Sequence, residues 1–298
     1  MARSRFYKKH IRPIKHFFAF ILFWIFISLI RIMPAKWSAV IMKKLSSLYS
    51  RFDTKDRRRA LKNIEIVKAN GFNLPDDMYH KCFQKSGENI SIIMRISKDL
   101  PGLNIDFKCK ERFDRLYEKG DGIIVVTGHI GPFELIPAYL ADKGYKISVI
   151  GKRLFDRRLD RYLVKERERF GTVNVKSDDS PIKLIRLLKK GYALGILPDV
   201  NTKTVANQKA EFFGIEARTP TGPVTLARAT GLPILPMAIY SKGYKEIELL
   251  CLEEFTVEKS KDKQKDISDG LLKMNSALEK LILKDPEQWV WYHNRFKS

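Results

Sequence analysis

The chain has 298 residues, of which 44% are hydrophobic and 11% aromatic, so it can build a substantial core as one large domain or two small ones. Lys and Arg number 56 against 34 Asp and Glu, and the net charge of +22 favours anionic partners: nucleic acid, an anionic membrane face or an acidic protein. The three cysteines lie far apart without a C-x-x-C spacing, which argues against a zinc site or a disulfide framework and predicts reduced thiols.

A long uncharged segment comes first in the chain. Residues 17–30 carry no charge and are rich in Phe, Ile and Leu. A bilayer span needs about 20 apolar residues, so this run is short unless Ile32 and Met33 are included. It also resembles a signal-peptide core, but no small-x-small cleavage site follows directly. We interpret residues 1–35 as an uncleaved N-terminal membrane anchor that contains a hydrophobic membrane helix.

The sequence does not determine whether this anchor spans the membrane or lies in one leaflet. Basic residues flank the run on both sides, so there is no clear positive-inside asymmetry. Such flanks bind anionic lipid at roughly 1 kcal/mol per residue, which suits a segment lying within one leaflet as well as a span. A buried core helix is the third alternative.

Residues 36–104 are predicted to be mainly helical, and they are strongly basic. Trp37, Ile41, Leu45 and Leu48 recur at helical spacing, and residues 74–77 form a helix start signal. We interpret these helices as a scaffold that covers one face of a sheet.

From residue 105 onward, predicted helices and strands alternate. The strands are 122–127, 147–150, 172–175, 193–197, 234–240 and 246–252, and the helices are 113–119, 132–143, 157–170, 181–190, 221–230 and 264–283. This alternation predicts an α/β fold with a mixed, mostly parallel central sheet flanked by helices on both faces. We therefore expect one catalytic domain over residues 36–298, mainly helical to 104 and α/β from 105.

The most informative residues follow the first of these strands. The apolar run 123–127 ends in Gly128 and His129, and Glu134 comes five positions later. Because α/β enzymes keep reactive groups beyond the carboxyl ends of parallel strands, this turn is a candidate active site. With a helix from Pro132, His129 would lie on the turn and could fold back toward Glu134. We expect the imidazole to deprotonate a substrate hydroxyl while the carboxylate fixes its tautomer, although the same pair could be only structural.

Two other strand ends carry charged residues. Lys152 and Arg153 follow the strand 147–150 and could hold a phosphate or pantetheine phosphate. Asp199 follows the strand 193–197 and is either a second carboxylate of the site or an ordinary loop residue. The charged helix 157–170 is interpreted mainly as a solvated face. Neither G-x-x-x-x-G-K-[ST] nor H-E-x-x-H occurs in the sequence.

These motifs together resemble a known family. Residues 128–134, Gly-His-Ile-Gly-Pro-Phe-Glu, resemble the H-x4-(D/E) motif of glycerolipid and lysophospholipid acyltransferases. The wider set resembles the branch that contains the late acyltransferases of bacterial lipid A synthesis: Leu-Pro-Asp at 197–199, Phe-Phe-Gly at 212–214, the Thr-Pro-Thr-Gly stretch from 219 and Trp-Tyr-His-Asn-Arg-Phe-Lys at 291–297. The resemblance covers nearly the whole chain.

The resemblance implies an O-acyltransferase in which His129 and Glu134 activate an acceptor hydroxyl that attacks an acyl carrier protein thioester. Acyl-CoA is a possible second donor, and no cofactor or metal is implied. Residues in the motifs and strand-end loops are assigned to substrate binding: Lys152, Arg153, Asp199, Arg218, Arg228, His293 and Arg295. One departure is that residues 200–203 read Val-Asn-Thr-Lys, where the family often has a second polar or acidic pair. Acceptor preference is therefore not transferred.

The implied partners are acyl carrier protein, anionic membrane lipids and a lipid acceptor, at a bacterial inner membrane with the catalytic domain on the cytoplasmic side. An apolar cleft from the His129 turn is expected to hold the acyl chain. The alternatives are a phospholipid or aminolipid acyltransferase with the same His–Glu pair, a membrane-tethered nucleic-acid-binding protein and a non-catalytic lipid-binding protein. Nucleic acid is the weaker expectation, because the basic residues are dispersed and no nucleic-acid-binding module is recognised.

Overall fold

A seven-stranded sheet lies at the centre of the computed structural model, which describes residues 12–152, 156–201 and 205–296. The strands are β1 Asn104–Phe107, β2 Ile123–Val126, β3 Ile147–Gly151, β4 Val173–Lys176, β5 Ala193–Ile196, β6 Asn207–Phe212, β7 Ile215–Pro220, β8 Ile234–Ser241 and β9 Glu246–Cys251. The order across the large sheet is β1-β9-β8-β2-β5-β3-β4, and only the β8–β9 pair is antiparallel. Strands β6 and β7 form a separate antiparallel pair.

Ten α-helices surround this sheet in the described residues. They are α1 Arg12–Ile32, α2 Ala35–Ser50, α3 Lys55–Ala69, α4 Met78–Asp99, α5 Lys110–Tyr117, α6 Leu135–Asp142, α7 Arg157–Glu168, α8 Pro181–Leu188, α9 Gly222–Thr230 and α10 Lys263–Lys284. Local sequence fixes several of their starts. Ser180, for example, caps α8 by accepting the Ile182 N–H, and Pro181 occupies the first helical position.

Hydrophobic core lies on both faces of the sheet. In β2, Ile124 and Val126 belong to one buried cluster, and Ile123 and Val125 belong to the other. Successive strand side chains point to opposite faces, so an unbroken apolar run is what a strand buried on both sides requires. Helices α9 and α10 contribute to the first cluster, and α5 and α6 contribute to the second. The predicted mostly parallel sheet with helices on both faces is confirmed.

The N-terminal hydrophobic segment forms α1, but the expected transmembrane helix is not supported. Among the described residues, no helix combines the length and the apolar character that crossing a membrane requires. The uncharged run would extend only about 21 Å as a helix, against about 30 Å of bilayer hydrocarbon. Arg31 closes it by donating to the Met94 carbonyl, Tyr162 and Glu166, which ties α1 to the domain.

The prediction of three reduced thiols is wrong for two of them. Cys109 and Cys251 form a disulfide, and Cys82 is free and buried. Strands β1 and β9 are parallel neighbours at one edge of the sheet, so chain segments 142 residues apart meet there. That pairing depends on sheet order, which the cysteine spacing does not report.

Candidate active site

Two neighbouring strands bring a histidine and an aspartate together at the carboxyl edge of the sheet. Val126 of β2 and Ile196 of β5 are partners in the parallel register, and His129 and Asp199 each lie three residues further along. His129 and Asp199 therefore lie at the same level along the strand direction, beyond the ends of neighbouring strands. The His129 ring nitrogen Nδ1 lies 2.8 Å from Oδ1 of Asp199.

The Asp199 carboxylate is fully buried and receives three hydrogen bonds. Besides the imidazole, the His129 backbone N–H donates to its Oδ2 over 2.7 Å, and the Trp289 indole N–H donates over 2.9 Å. An ionised carboxylate can only accept, so Nδ1 of His129 carries the proton. The lone pair of the neutral ring is then on Nε2, and the side chain is 22% exposed.

Glu134 does not pair with His129, contrary to the expectation from the motif. Its Oε2 and Oε1 accept from Nε and Nη2 of Arg167 over 2.8 and 2.5 Å. Arg167, on α7, also donates to Asn174 over 2.9 Å. The imidazole is therefore oriented by Asp199, and Glu134 belongs to a separate ion pair.

The turn between His129 and Glu134 explains this arrangement. Helix α6 begins at Leu135 and not at Pro132, and residues 129–131 run alongside the C-terminal segment. The Val290 N–H donates to the His129 carbonyl, and the Gly131 N–H donates to the Gln288 carbonyl. Gly131 has a φ of +60°, and a Cβ there would collide with the Ile239 carbonyl, so only glycine fits.

The electrostatics of the pair favour a strong base. Burial opposes protonation of His129, but the charge of Asp199 and its hydrogen bond outweigh burial, so the pKa of His129 is raised above its usual 6.5. Burial alone would raise the pKa of Asp199, yet the charge of His129 and the hydrogen bonds hold that pKa well below its usual range.

A second histidine packs against the first. The rings of His129 and His293 meet edge to face with centroids 4.5 Å apart. Burial, and then repulsion from His129, lower the pKa of His293 to about 4. His293 is therefore neutral at neutral pH, and the site carries at most one imidazolium in that range.

An apolar cavity of about 320 Å³ lies among α1, α4, α6 and α7. Glu134 and Arg167 line one part of it, and the remaining lining is mainly apolar: Phe23, Ile27, Ile90, Ile93, Met94, Ile96, Pro137, Ala138, Leu159 and Leu163, with Tyr162 and Glu166. His129 does not line it. An apolar space was expected beside the His129 turn, and the structure places it on the Glu134 side of that turn.

The predicted substrate-binding residues divide into three groups. Lys152 is exposed after β3 and lines a small depression with Arg167 and Asn174, whereas Arg153 lies outside the described residues. His293 and Asp199 belong to the histidine site described above.

The hydrogen bonds and ion pairs of the remaining three arginines are with groups other than His129 and Asp199. Arg218 lies on β7 and donates to Asn207, and Arg228 pairs with the buried Asp266 of α10. Arg295 is fully buried and donates to the Arg218 carbonyl and to Thr219. Burial lowers its pKa to about 10, below the usual arginine value.

Arg167 and Trp289 were not predicted from the sequence, and Asp199, predicted to bind substrate, instead contacts His129 and Trp289. Arg167 sits in a helix with charged residues spread along it, so nothing in its pattern separates it from a solvated face. Trp289 lies two residues before the terminal motif 291–297 and is not part of it. In the described ranges, no group of three or more His, Cys, Asp or Glu side chains could hold a metal ion.

An imidazole with a buried carboxylate partner at the edge of an α/β sheet is able to activate a hydroxyl, and the apolar cavity on the Glu134 side of the turn is able to take an aliphatic group. The family comparison is more specific. The model of the family described as bacterial lipid A biosynthesis acyltransferase matches residues 6–298, so this chain belongs to that family of acyltransferases. The resemblance seen in the motifs is confirmed.

Individual relatives match either over a part of the chain or at low sequence identity. The lipid A biosynthesis palmitoleoyltransferase of Escherichia coli (strain K12) is 30% identical over 117 residues, 39% of this chain and 37% of the relative. The lauroyltransferase of the same organism is 31% identical over 120 residues, with the same coverage. The matched part thus spans well under half of either relative. Lipid A biosynthesis acyltransferase 2 of Shigella flexneri is 21% identical over 306 residues, covering 98% of this chain and 93% of the relative.

Proposed function

We propose that this chain moves a fatty acyl group from an acyl carrier protein thioester to a hydroxyl of a lipid A precursor. The observation that carries the proposal is the His129–Asp199 pair at the sheet edge, with an apolar cavity lined in part by Glu134 of the same turn. Membership of the lipid A acyltransferase family supports the class of reaction and of acceptor.

In the proposed reaction, His129 acts as general base. Its Nε2 takes the proton of the acceptor hydroxyl while the oxygen attacks the thioester carbonyl carbon. The carbonyl electrons move to oxygen, and Asp199 stabilises the imidazolium through the Nδ1–H bond. When the tetrahedral intermediate collapses, the C–S bond breaks and the imidazolium protonates the departing thiolate. No covalent enzyme intermediate is needed, because a thioester is already an activated donor.

In the proposed site, Glu134 has a role other than orienting His129. The Glu134–Arg167 pair borders the apolar cavity, so a thioester whose acyl chain fills the cavity would present its carbonyl near the guanidinium. We assign stabilisation of the oxyanion to Arg167 and positioning of that guanidinium to Glu134. Fixed donors aimed at developing charge commonly supply a large share of rate enhancement.

Charge supports a carrier-protein donor. The chain has a net charge of +22, and an acidic carrier would be attracted to it over long range. Exposed Lys152, after β3, is a suitable contact for the phosphate of the pantetheine arm. Acyl-CoA carries the same arm and is the alternative donor.

The proposed location is a bacterial inner membrane, with the catalytic domain on its cytoplasmic side. Helix α1 supports a membrane contact, because its outer side exposes Leu22, Ile25, Leu29 and Ile32. Anionic lipids would suit the basic residues around it.

The test is acyl transfer by the purified protein from carrier-protein and CoA thioesters to a lipid A precursor, a lysophospholipid and an aminolipid. We expect transfer from the carrier-protein thioester to the lipid A precursor. His129→Ala should reduce it by about 10²–10⁴-fold. The matched control is His80→Ala, which removes an exposed histidine from α4. Equal transfer by wild type and His129→Ala would refute the mechanism, and preference for another acceptor would refute the assigned substrate.

A further inference from the structure

Large exposed hydrophobic side chains are concentrated in one part of the molecule. Of sixteen such residues in the described chain, twelve lie between residues 17 and 52. The other four are Leu61, Ile182, Tyr244 and Leu272. Single apolar residues on a surface need no explanation, but so many within 36 residues of chain indicate a contact with another apolar phase.

Helix α2 contributes a defined face to this group. Trp37, Leu45 and Leu48 fall within about 80° of one another around the helix axis, at about 100° per residue, and Phe52 follows just after the helix. All four are exposed, with relative exposures between 45% and 63%. We call these four residues the α2 outer face.

The buried side of α2 is attached to α4. Ser38 is buried and hydrogen-bonds Ser91 over 2.6 Å, and Ser46 donates to the Phe83 carbonyl over 2.6 Å. Gly87 lets the two helix backbones approach closely, because a Cβ there would collide with the Met42 carbonyl. The α2 outer face is therefore presented on a rigid support.

The charge around this face is mainly positive, although Asp53 follows Phe52 and Asp56 accepts from the Tyr49 hydroxyl. No Asp or Glu occurs before Asp53, so α1 and α2 contain only basic charged residues. Lys36, Lys44 and Arg51 are exposed beside the α2 outer face, and Lys43 pairs with Glu88 of α4. Two copies of the chain joined through this face would bring like charges together, which disfavours a dimer.

We propose that the α2 outer face docks on an anionic bilayer, with the α2 axis in the membrane plane and its basic residues at the phosphate level. This inference rests on the proposed function and specifies its membrane partner. Amphipathic helices with an apolar side and a basic rim bind such surfaces by burying the apolar side at the headgroup boundary.

Docking in this way would place the reaction close to its lipid substrate. Phe23 and Ile27 of α1 line the apolar cavity, while Ile25 and Leu29 of the same helix are exposed. Helix α1, which precedes α2 directly in the chain, thus has apolar side chains in the cavity wall and others exposed to the surroundings. The acceptor lipid and the acyl chain could then meet at the site with little transfer of apolar surface through water.

The test compares the full chain with Leu45→Glu/Leu48→Glu in sedimentation with vesicles of equal parts phosphatidylglycerol and phosphatidylcholine. We expect the double variant to partition at least about tenfold less, because two leucines that would be buried in the bilayer are replaced by charges that anionic lipid repels. The control is Leu272→Glu, at an exposed leucine of α10. It should partition like wild type.

Two further measurements make the result specific. Lys36→Gln/Lys44→Gln should weaken binding to these vesicles and leave the weaker binding to pure phosphatidylcholine unchanged. Activity of Leu45→Glu/Leu48→Glu in detergent micelles should equal that of wild type, so a failure of docking is separated from a failure of the proposed reaction. Unchanged partitioning of Leu45→Glu/Leu48→Glu would overturn the proposal. So would a wild-type dimer in solution that the same substitutions convert to a monomer.

Discussion

Two carboxylates stand near the carboxyl edge of the sheet, and their surroundings differ. Asp199 is fully buried among the His129 ring, a backbone N–H and the Trp289 indole. Glu134 faces Arg167 and borders an apolar cavity. Asp199 can therefore control the proton affinity of the imidazole directly, whereas Glu134 controls the position of a guanidinium. The difference teaches that the acid of an H-x4-(D/E) motif need not be the partner of its histidine.

Of the substitutions that separate the two carboxylates, Asp199→Asn should have the largest effect on kcat/KM. An amide cannot stabilise the imidazolium and does not impose the tautomer with its proton on Nδ1, so kcat/KM should fall by about 10³-fold or more. Steady-state acyl transfer measures this effect. The matched control Asp121→Asn changes an exposed aspartate and should retain wild-type activity. A small loss in Asp199→Asn would remove Asp199 from the mechanism.

Glu134→Gln should have a smaller effect of a different kind. Losing the ion pair leaves Arg167 poorly held, and kcat/KM should fall by about 10²-fold. Because both residues act through one contact, Glu134→Gln/Arg167→Gln should lose much less than the sum of the single losses. Glu168→Gln, at an exposed glutamate of α7, serves as control. Additive losses would contradict a shared role.

The pH dependence distinguishes the two carboxylates. The base must be neutral, and the pKa of His129 is raised above 6.5, so wild-type kcat/KM should fall tenfold per pH unit below an inflection above 6.5. Asp199 is the main group that raises this pKa and Glu134 a lesser one. The inflection in the pH profile of kcat/KM should therefore move to lower pH by a large amount in Asp199→Asn and by a small amount in Glu134→Gln. The opposite order would return the orienting role to Glu134.

The smallest expected effect is on donor selectivity. Leu163 lines the cavity near Arg167, and Leu163→Phe should reduce its length. The ratio of kcat/KM for a long acyl donor to that for a short one should fall by about tenfold. The pH at which kcat/KM begins to fall on the acid side should not change. Competition between the two thioesters measures this ratio. The control is Ile182→Phe, at an exposed position of α8. An unchanged ratio would mean that the acyl chain lies elsewhere.

Local sequence was sufficient for some of this architecture. The apolar run of β2 identifies a strand buried on both faces, and its carboxyl end marks where His129 lies. The pairing of His129 with Asp199 could not be predicted, because it depends on β2 and β5 being neighbours. The position of Glu134 depends on a turn held by residues 288–290, far away in the chain.

The remaining errors have the same origin. Arg167 acquires its role only when α7 packs beside the α6 turn, and Cys109 meets Cys251 only because β1 and β9 are adjacent. For α1, hydropathy identified an apolar helix correctly. It could not report that Arg31 and Arg95 tie the end of that helix to α4 and α7.

The double use of α1 has a practical consequence for work with this protein. Deleting the first 34 residues to improve handling in water would also remove Phe23 and Ile27 from the cavity wall and leave Glu166 without Arg31. A truncated enzyme of this kind would be expected to lose selectivity for chain length before it lost its proton-transfer chemistry. Detergent or nanodisc preparations of the entire polypeptide are therefore the appropriate material for measuring which fatty acids it accepts.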